Sequence, residues 1–436
     1  MFNGDSYGYL ANARHLAPMV WRPLGYPVLL RLVLDFAHDL TAVVAVQHVI
    51  GFALGAIVYA LGRRLGLGAG LATMAATPVL FDAYQLGIEQ FVMTEPLFEL
   101  LALGGIALLL WHGRPSVAAC AAAGGLLAAA ALTRTVGLAL VVPLAGYLIV
   151  RRVGLARSSA AAVAFLVPVL AYAGWFDAHN GTFSVTGRDG YFLYARVAPF
   201  AHCSALTVHP GEGVLCDPRP PALRPGPNFY LWRRASPIRR LAVRRAQTRN
   251  ALLERFAGRV ILHEPLAYGA AIAQDLAHYF QPFRTTGRRD EPLTVWRFSS
   301  RFPDRRRAAR AIRHYAEPKR PLTAPALTTF LRAYERVVVT PGPLLAAGLA
   351  AGLLAAFGAG VAGARRGRGA AILLASAGLV LLVGAAATSM FDYRYLLPTL
   401  PLLPLAGVLG TVSLARRAHL VRERIARAPA IQETRP

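Results

Sequence analysis

The chain carries repeated uninterrupted apolar runs, at about 41–61, 68–81, 96–111, 116–132, 136–150, 159–176, 341–363, 370–389 and 396–414. Runs of roughly 20 such residues match the ~30 Å hydrocarbon core of a bilayer. Within that core every backbone N–H and C=O must be paired inside the protein, so each run reads as a helix. The fold class expected is an all-α polytopic membrane protein of about nine spans. Composition agrees, with 55% hydrophobic and 16% charged residues among 436.

The formal net charge of +25 would point to nucleic acid in a soluble chain. Here the arginines sit largely in short loops at helix ends, as the positive-inside bias requires, and nucleic acid is not an expected partner. The connections GRRLG (62–66), HGRP (112–115), RRVGLAR (151–157) and RRGRG (365–369) are basic, as is the tail from Arg416. They alternate with Asp82 to Glu95, Thr133 to Thr135, a long segment near 177–340, and Phe391 to Tyr395. The first set is assigned to the cytoplasm and the second to the outside. The long outer segment is itself basic, but domains of that length cross regardless of charge. The organisation is then 1–40, an outer juxtamembrane loop with interfacial helices; 41–176, six spans; 177–340, an extracytoplasmic helical cap; 341–414, three spans; and 415–436, a basic cytoplasmic tail. Nine spans ending inside require an N-terminus outside, so a further helix ahead of Met1 is expected.

Between Tyr26 and Asp39 the run is too short to span and is interrupted by Arg31 and Asp35, which reads as an interfacial helix. Cys203 and Cys216 fall in the outer segment, where oxidation is permitted, while Cys120 lies inside an apolar run. Closing that loop would stabilise the segment by about 3 kcal/mol. One helical pattern runs through Ile238, Leu241, Leu252, Leu253, Phe256 and Val260, and another through Ala267, Ala271, Leu276 and Phe280. Further helices are expected at 304–316 and 325–338, and Pro341 and Pro343 open the next span.

Asp5, in GDSYGYL, reads alone as a helix cap shared with Ser6. Glu95, in MTEPLF, is either a first-turn anion ahead of Pro96 or a carboxylate holding a sugar hydroxyl or an arginine. Arg134 stands in a short outer turn against the positive-inside bias, and its planar fork suits a phosphate. Arg394 is the second outer exception, flanked by Asp392, Tyr393 and Tyr395, with a local pair to Asp392 as its plain reading. His48 reads as a hydrogen-bonded core histidine. Asp35, His38 and Asp39 with Asp5 are the one set weighed for a divalent cation, although their spacing matches no dedicated metal motif. No metal ligand is assigned.

Taken together, Asp5, Tyr7, Tyr9 and Ala11, then R-P-x-G-Y-P (Arg22 to Pro27), T-E-P-L-F (Thr94 to Phe98), Arg134 with Gly137 and Leu138, and Y-R-Y-L-L-P-x-x-P (Tyr393 to Pro401) resemble GT-C fold glycosyltransferases. The likeness is to the branch that includes the protein mannosyltransferases and the aminoarabinose transferases of lipid A. It implies a polyprenyl-phosphate-linked sugar as donor, transfer with inversion on the outer face of the membrane, and a protein, glycan or lipid acceptor. It also implies a helix ahead of the acidic loop. In that scheme Asp5 is the general base, Arg134 and Arg394 hold the lipid phosphate, and Glu95, Tyr7 and Tyr395 orient sugar, acceptor or arginine. The abundance of Arg over Lys, with Ala, Gly and Pro, points to a GC-rich bacterial genome and hence to a bacterial plasma membrane. The competing readings are a transporter or flippase of a lipid-linked or anionic solute, and a scaffold without activity.

Overall fold

A computed structural model describes residues 1–243, 245–298, 306, 324–358 and 364–426. Among these residues the secondary structure is entirely helical. Three helices are long and apolar enough to cross a membrane: Leu40–Arg64, Leu155–Asn180 and Arg366–Thr388. Counting three bent pairs as single spans raises the number to six, and Ala69–Phe81, Val117–Ala131 and Thr135–Val150 are shorter apolar helices. The chain is thus a helical protein suited to crossing a membrane several times.

The connections fall into the two groups their charge predicts. At one end of the bundle Arg64 Nε donates to Trp111 O (3.0 Å), Arg366 Nη2 to Leu110 O (2.8 Å) and Arg368 Nη1 to Gly358 O (3.1 Å). Guanidinium groups there satisfy carbonyls that a helix leaves without intrahelical partners at its C-terminus. One expectation changes: RRGRG is not a turn, because Ala364–Thr388 is helical throughout.

At the other end, the expected loop Asp82 to Glu95 folds into a helix, Ala83–Gln90, set at 115° to Glu95–Trp111. Such a break strands carbonyls, and the buried Gln47 meets them: its Nε2 donates to Glu89 O (2.7 Å) and Phe91 O (2.6 Å). Tyr26 Oη donates to Gln47 Oε1 (2.5 Å), fixing the amide. Gln90 Nε2 donates to His48 Nε2 (2.6 Å), so His48 Nδ1 carries the proton and donates to Glu89 Oε2 (2.7 Å). His48 is therefore hydrogen-bonded as expected, but it is half-buried and lies outside the core.

Helix contacts rest on small residues. A Cβ on Gly407 would fall 2.6 Å from Gly348 Cα, and one on Gly410 only 2.1 Å from Ala351 O, so Gly342–Leu354 and Leu403–Ala426 touch backbone to backbone. This is the association mode that membrane helices favour when hydrophobic driving force is absent. Gly25, in R-P-x-G-Y-P, has the same role: its N–H donates to Leu132 O (2.8 Å), and a Cβ there would lie 2.5 Å from Thr133 Oγ1.

Gly4–Ala13 begins the described chain. Its cap is Asn3, whose side chain accepts from the backbone while Ser6 reaches back, so Asp5 is not the cap that its neighbourhood implied. Gly25–Ala37 is the short helix expected, with Arg31 paired to Asp35 at 2.6 Å and Leu32 and Phe36 exposed.

Between the spans lies a second core around Tyr194, Tyr230, Leu253, Phe256 and Val260. Cys203 and Cys216 form a disulfide. The helix Ala246–His263 covers Leu252 to Val260, but Ile238 and Leu241 fall outside it, because Pro237 opens a single 3-10 turn, Pro237–Arg240, after which the chain extends. Pro265–Tyr279 and Pro325–Val337 are helical near their expected bounds. The helix expected at 304–316 lies outside the described residues except Arg306.

Gly407→Val is expected to lower the melting temperature in detergent by several degrees, since the helix pair must part. Gly125→Ala, whose Cβ meets nothing within 4 Å, is expected to leave it unchanged or raise it. Equal melting temperatures for wild type and Gly407→Val would contradict the backbone contact.

Candidate functional site

Four segments distant in sequence meet at the end of the bundle that holds the broken helix. Gly4–Ala13 brings Asp5 and Tyr9, one helical turn apart on a shared face. The following loop brings Trp21 and Arg22, the turn after Val117–Ala131 brings Arg134, and the chain between Ala364–Thr388 and Leu403–Ala426 brings Asp392, Arg394 and Tyr395. Together they border a cavity of about 410 Å³.

The arginines do not stand free. Arg394 Nη1 donates to Asp5 Oδ2 (3.0 Å), and Arg22 Nη2 lies 2.6 Å from the same oxygen. Asp392 flanks Arg394 on its other side: the Nε lies 3.1 Å from Oδ2 without the alignment of a hydrogen bond, while Arg394 N donates to Oδ1 (3.0 Å). Trp296 Nε1 also donates to that oxygen (2.9 Å). Arg134 Nη1 donates to Glu95 Oε1 and to Thr94 Oγ1 (3.1 Å). Glu95 is wholly buried and opens its helix beside Pro96, so both readings of this carboxylate hold, first-turn anion and arginine partner. The ring of Tyr395 lies under Arg134 (5.6 Å) and Arg394 (4.9 Å), and its hydroxyl accepts from Arg394 Nη2 (3.1 Å).

Of the residues singled out in the sequence, Asp5, Glu95, Arg134, Arg394 and Tyr395 are brought together. Arg134, Arg394 and Tyr395 line the cavity, whereas Asp5 and Glu95 sit behind the arginines that cover them. Tyr7 is not at the site. It stacks on Phe2 (5.8 Å), and Tyr9 lines the cavity instead, under Arg22 (5.4 Å), because only the residue four positions from Asp5 shares its face. Nor does the set Asp35, His38 and Asp39 join Asp5: Asp35 pairs with Arg31, and Asp39 caps Leu40–Arg64. Among the described residues no group of three or more His, Cys, Asp or Glu side chains is placed to hold a metal ion.

Sequence reasoning assigned no role to Arg22, Trp21, Asp189 or Glu254, all of which line the cavity. Arg22 stood within the quoted R-P-x-G-Y-P, and its spacing from Asp5 gave no sign that they pair. The wall also carries the hydroxyl residues Thr94, Thr133, Thr135, Thr186, Thr388 and Ser389, and an apolar part made of Val136, Leu138, Ala139, Gly384 and Ala385. The lining therefore joins three guanidinium groups to hydrocarbon from apolar helices.

The two carboxylates on Arg394 differ. Burial pushes the carboxyl of Asp5 up, but the guanidinium groups of Arg22 and Arg394 outweigh it and hold Asp5 below the ordinary carboxylate range. Burial dominates at Asp392, pushing it up to about 6 in spite of Arg394. One arginine thus sits between a firmly ionised carboxylate and one that titrates near neutrality. Comparison with known proteins adds no constraint: no protein family, curated protein or solved structure matches the chain.

Two expectations follow. The folded pKa of Asp5 lies below its unfolded value, so its stabilisation is fully present above about pH 4 and is lost as pH falls through the lower folded value. Asp5→Asn should lower the melting temperature equally at pH 7 and pH 5, with the gap closing only below pH 4. Arg134→Ala strands the buried Glu95 and should cost about 3 kcal/mol, of which a large part returns in Arg134→Ala/Glu95→Gln. Strict additivity in that double-mutant cycle would deny the coupling.

Proposed function

We propose that the protein is a membrane glycosyltransferase of the GT-C kind, taking a sugar from a polyprenyl-phosphate donor and passing it with inversion to an extracytoplasmic acceptor. The observation that supports this reading is the lining of the 410 Å³ cavity, which joins the guanidinium groups of Arg22, Arg134 and Arg394 to the hydrocarbon of Val136, Leu138, Ala139 and Ala385. A phosphate bearing a long isoprenoid chain joins the same two chemistries. In this reading the nine apolar runs all cross a bacterial plasma membrane, the cavity opens on its outer side, and 177–340 is the outer cap that shapes the acceptor site.

The leaving group is a lipid phosphate, which needs its negative charge neutralised more than it needs a general acid. Arg134 and Arg394, held by Glu95 and Tyr395, supply that neutralisation, with Arg22 as a third cation. The acceptor hydroxyl attacks the anomeric carbon as the bond to the phosphate oxygen breaks, and one base removes its proton. With Arg22 and Arg394 both on its carboxylate Asp5 is a poor base, since two guanidinium groups hold its charge. Donor phosphate competes for the same guanidinium groups, and drawing Arg22 and Arg394 toward it raises the basicity of Asp5 when the donor is present. Asp189 gives a second assignment for the base, because it is a carboxylate that lines the cavity directly.

The test uses the purified protein with a polyprenyl-phosphate sugar and a panel of protein, glycan and lipid acceptors. Asp5→Asn is expected to lower turnover by 10²-fold or more while retaining donor binding. Arg134→Ala is expected to weaken donor binding at least tenfold. Full turnover in Asp5→Asn with loss in Asp189→Asn would move the base to Asp189. Donor movement across vesicles with no sugar transfer would replace the reading by the transporter.

A further inference from the structure

A second cavity, of about 480 Å³, shares none of the lining of the first. Its walls come from the chain around 283–298, from Tyr84 in the broken helix and from Pro325–Val337 with the residues that follow it. Four guanidinium groups line it, those of Arg284, Arg297, Arg332 and Arg336. Arg284 is committed to Asp82, with Nη2 donating to Oδ2 at 2.6 Å, and lies over the Tyr84 ring at 4.4 Å. Arg332 Nε donates to Phe298 O (2.8 Å), and Glu335 accepts from Phe298 N (2.9 Å), so these two side chains clamp one residue of the wall. Arg297 and Arg336 form no ion pair or hydrogen bond with the described residues. Among the described residues Glu335 is the only carboxylate in the lining, and with Asp82 behind Arg284 they leave an excess of positive charge.

The position of this cavity identifies its ligand. Pro325–Val337 is amphipathic: Leu327, Phe330 and Val337 form one stripe and are 56%, 63% and 79% exposed, while Arg332, Glu335 and Arg336 lie on the other side. The helix is fastened to the end of an apolar helix by Tyr334 Oη donating to Phe81 O (2.6 Å) and Ala83 N donating to Val338 O (2.8 Å). At its own C-terminal end the chain turns by 52° into the apolar helix Gly342–Phe357. A helix pinned between the ends of two membrane-suited helices, with an exposed apolar stripe, belongs at the level of lipid headgroups. Phe283, 79% exposed, together with Leu293 and Val339, gives the cavity an apolar side as well.

We propose that this cavity is a binding site for a phospholipid with an anionic headgroup, whose phosphate is taken by Arg297 and Arg336 and whose acyl chains leave along Phe283, Leu293 and Val339. A soluble phosphate would share the guanidinium contacts but gain nothing from that apolar side. A zwitterionic lipid would bring its own cation to a site that already has a surplus. Arginine at the headgroup level pairs with phosphate at short range and presents two donors to it. The assignment is independent of what the first cavity does.

The test is native mass spectrometry of the full chain in detergent, titrated with phosphatidylglycerol and with phosphatidylcholine, for wild type and Arg297→Gln/Arg336→Gln. The wild type is expected to hold phosphatidylglycerol at least tenfold more tightly than phosphatidylcholine. The double variant is expected to lose one bound phosphatidylglycerol per chain with an unchanged melting temperature, since neither arginine holds the fold. An unchanged number and affinity of bound phosphatidylglycerol in the variant would overturn the proposal. Displacement of the lipid by inorganic phosphate at equal concentration would overturn the assignment to a lipid.

Discussion

Charge compensation at one end of the helical bundle is the constraint on which the rest of the site depends. Guanidinium groups and carboxylates removed from water persist only where each finds a counter-charge and hydrogen bonds. Arg394 lies between Asp5 and Asp392, Arg22 shares Asp5, Arg134 holds the buried Glu95, and Arg284 holds the buried Asp82. Each also rests on an aromatic face, of Tyr9, Tyr395, Trp296 or Tyr84. These pairs fix the connections at this end in one arrangement, and they keep the cavity open by holding arginines against its walls.

Much of the bundle is legible from local pattern. Among the described residues most of each apolar run is helical, because period and length belong to a contiguous segment, although 396–414 opens in 3-10 turns before Leu403–Ala426. The basic connections gather at one end because their arginines serve nearby helix C-termini. The disulfide was readable because Cys120 lies in an apolar run and leaves Cys203 and Cys216. What local pattern does not carry is pairing across the chain. Arg22 is an ordinary loop arginine until Asp5 is beside it, and Gln47 is an odd polar residue in a span until the stranded carbonyls of Glu89 and Phe91 reach it. Helical spacing from Asp5 favours Tyr9 over Tyr7 in the sequence itself. The broken helix Ala83–Gln90 also left a trace, because Gln85 and Glu89 are polar residues at helical spacing and both are buried.

Trp296 links residues of the two cavities without lining either. Its indole N–H donates to Asp392, its ring lies 5.3 Å from the Arg394 guanidinium, and the next residue, Arg297, lines the second cavity. Phe298, one further on, is clamped by Arg332 and Glu335. A shift of this short stretch therefore acts on both sides. On one side it touches the carboxylate that balances Arg394, and on the other the arginines of the second cavity.

The ion pair between Asp5 and Arg394 spans 389 positions of sequence, which gives the site a place in time as well as in space. A ribosome releases Asp5 well before Arg394. Over that stretch of synthesis Gly4–Ala13 waits with half of the counter-charge of Asp5 missing, and Glu95 finds Arg134 long before Asp5 finds Arg394. The centre is consequently complete only once Arg394 has emerged, and a chain stopped short of Arg394 has no assembled site.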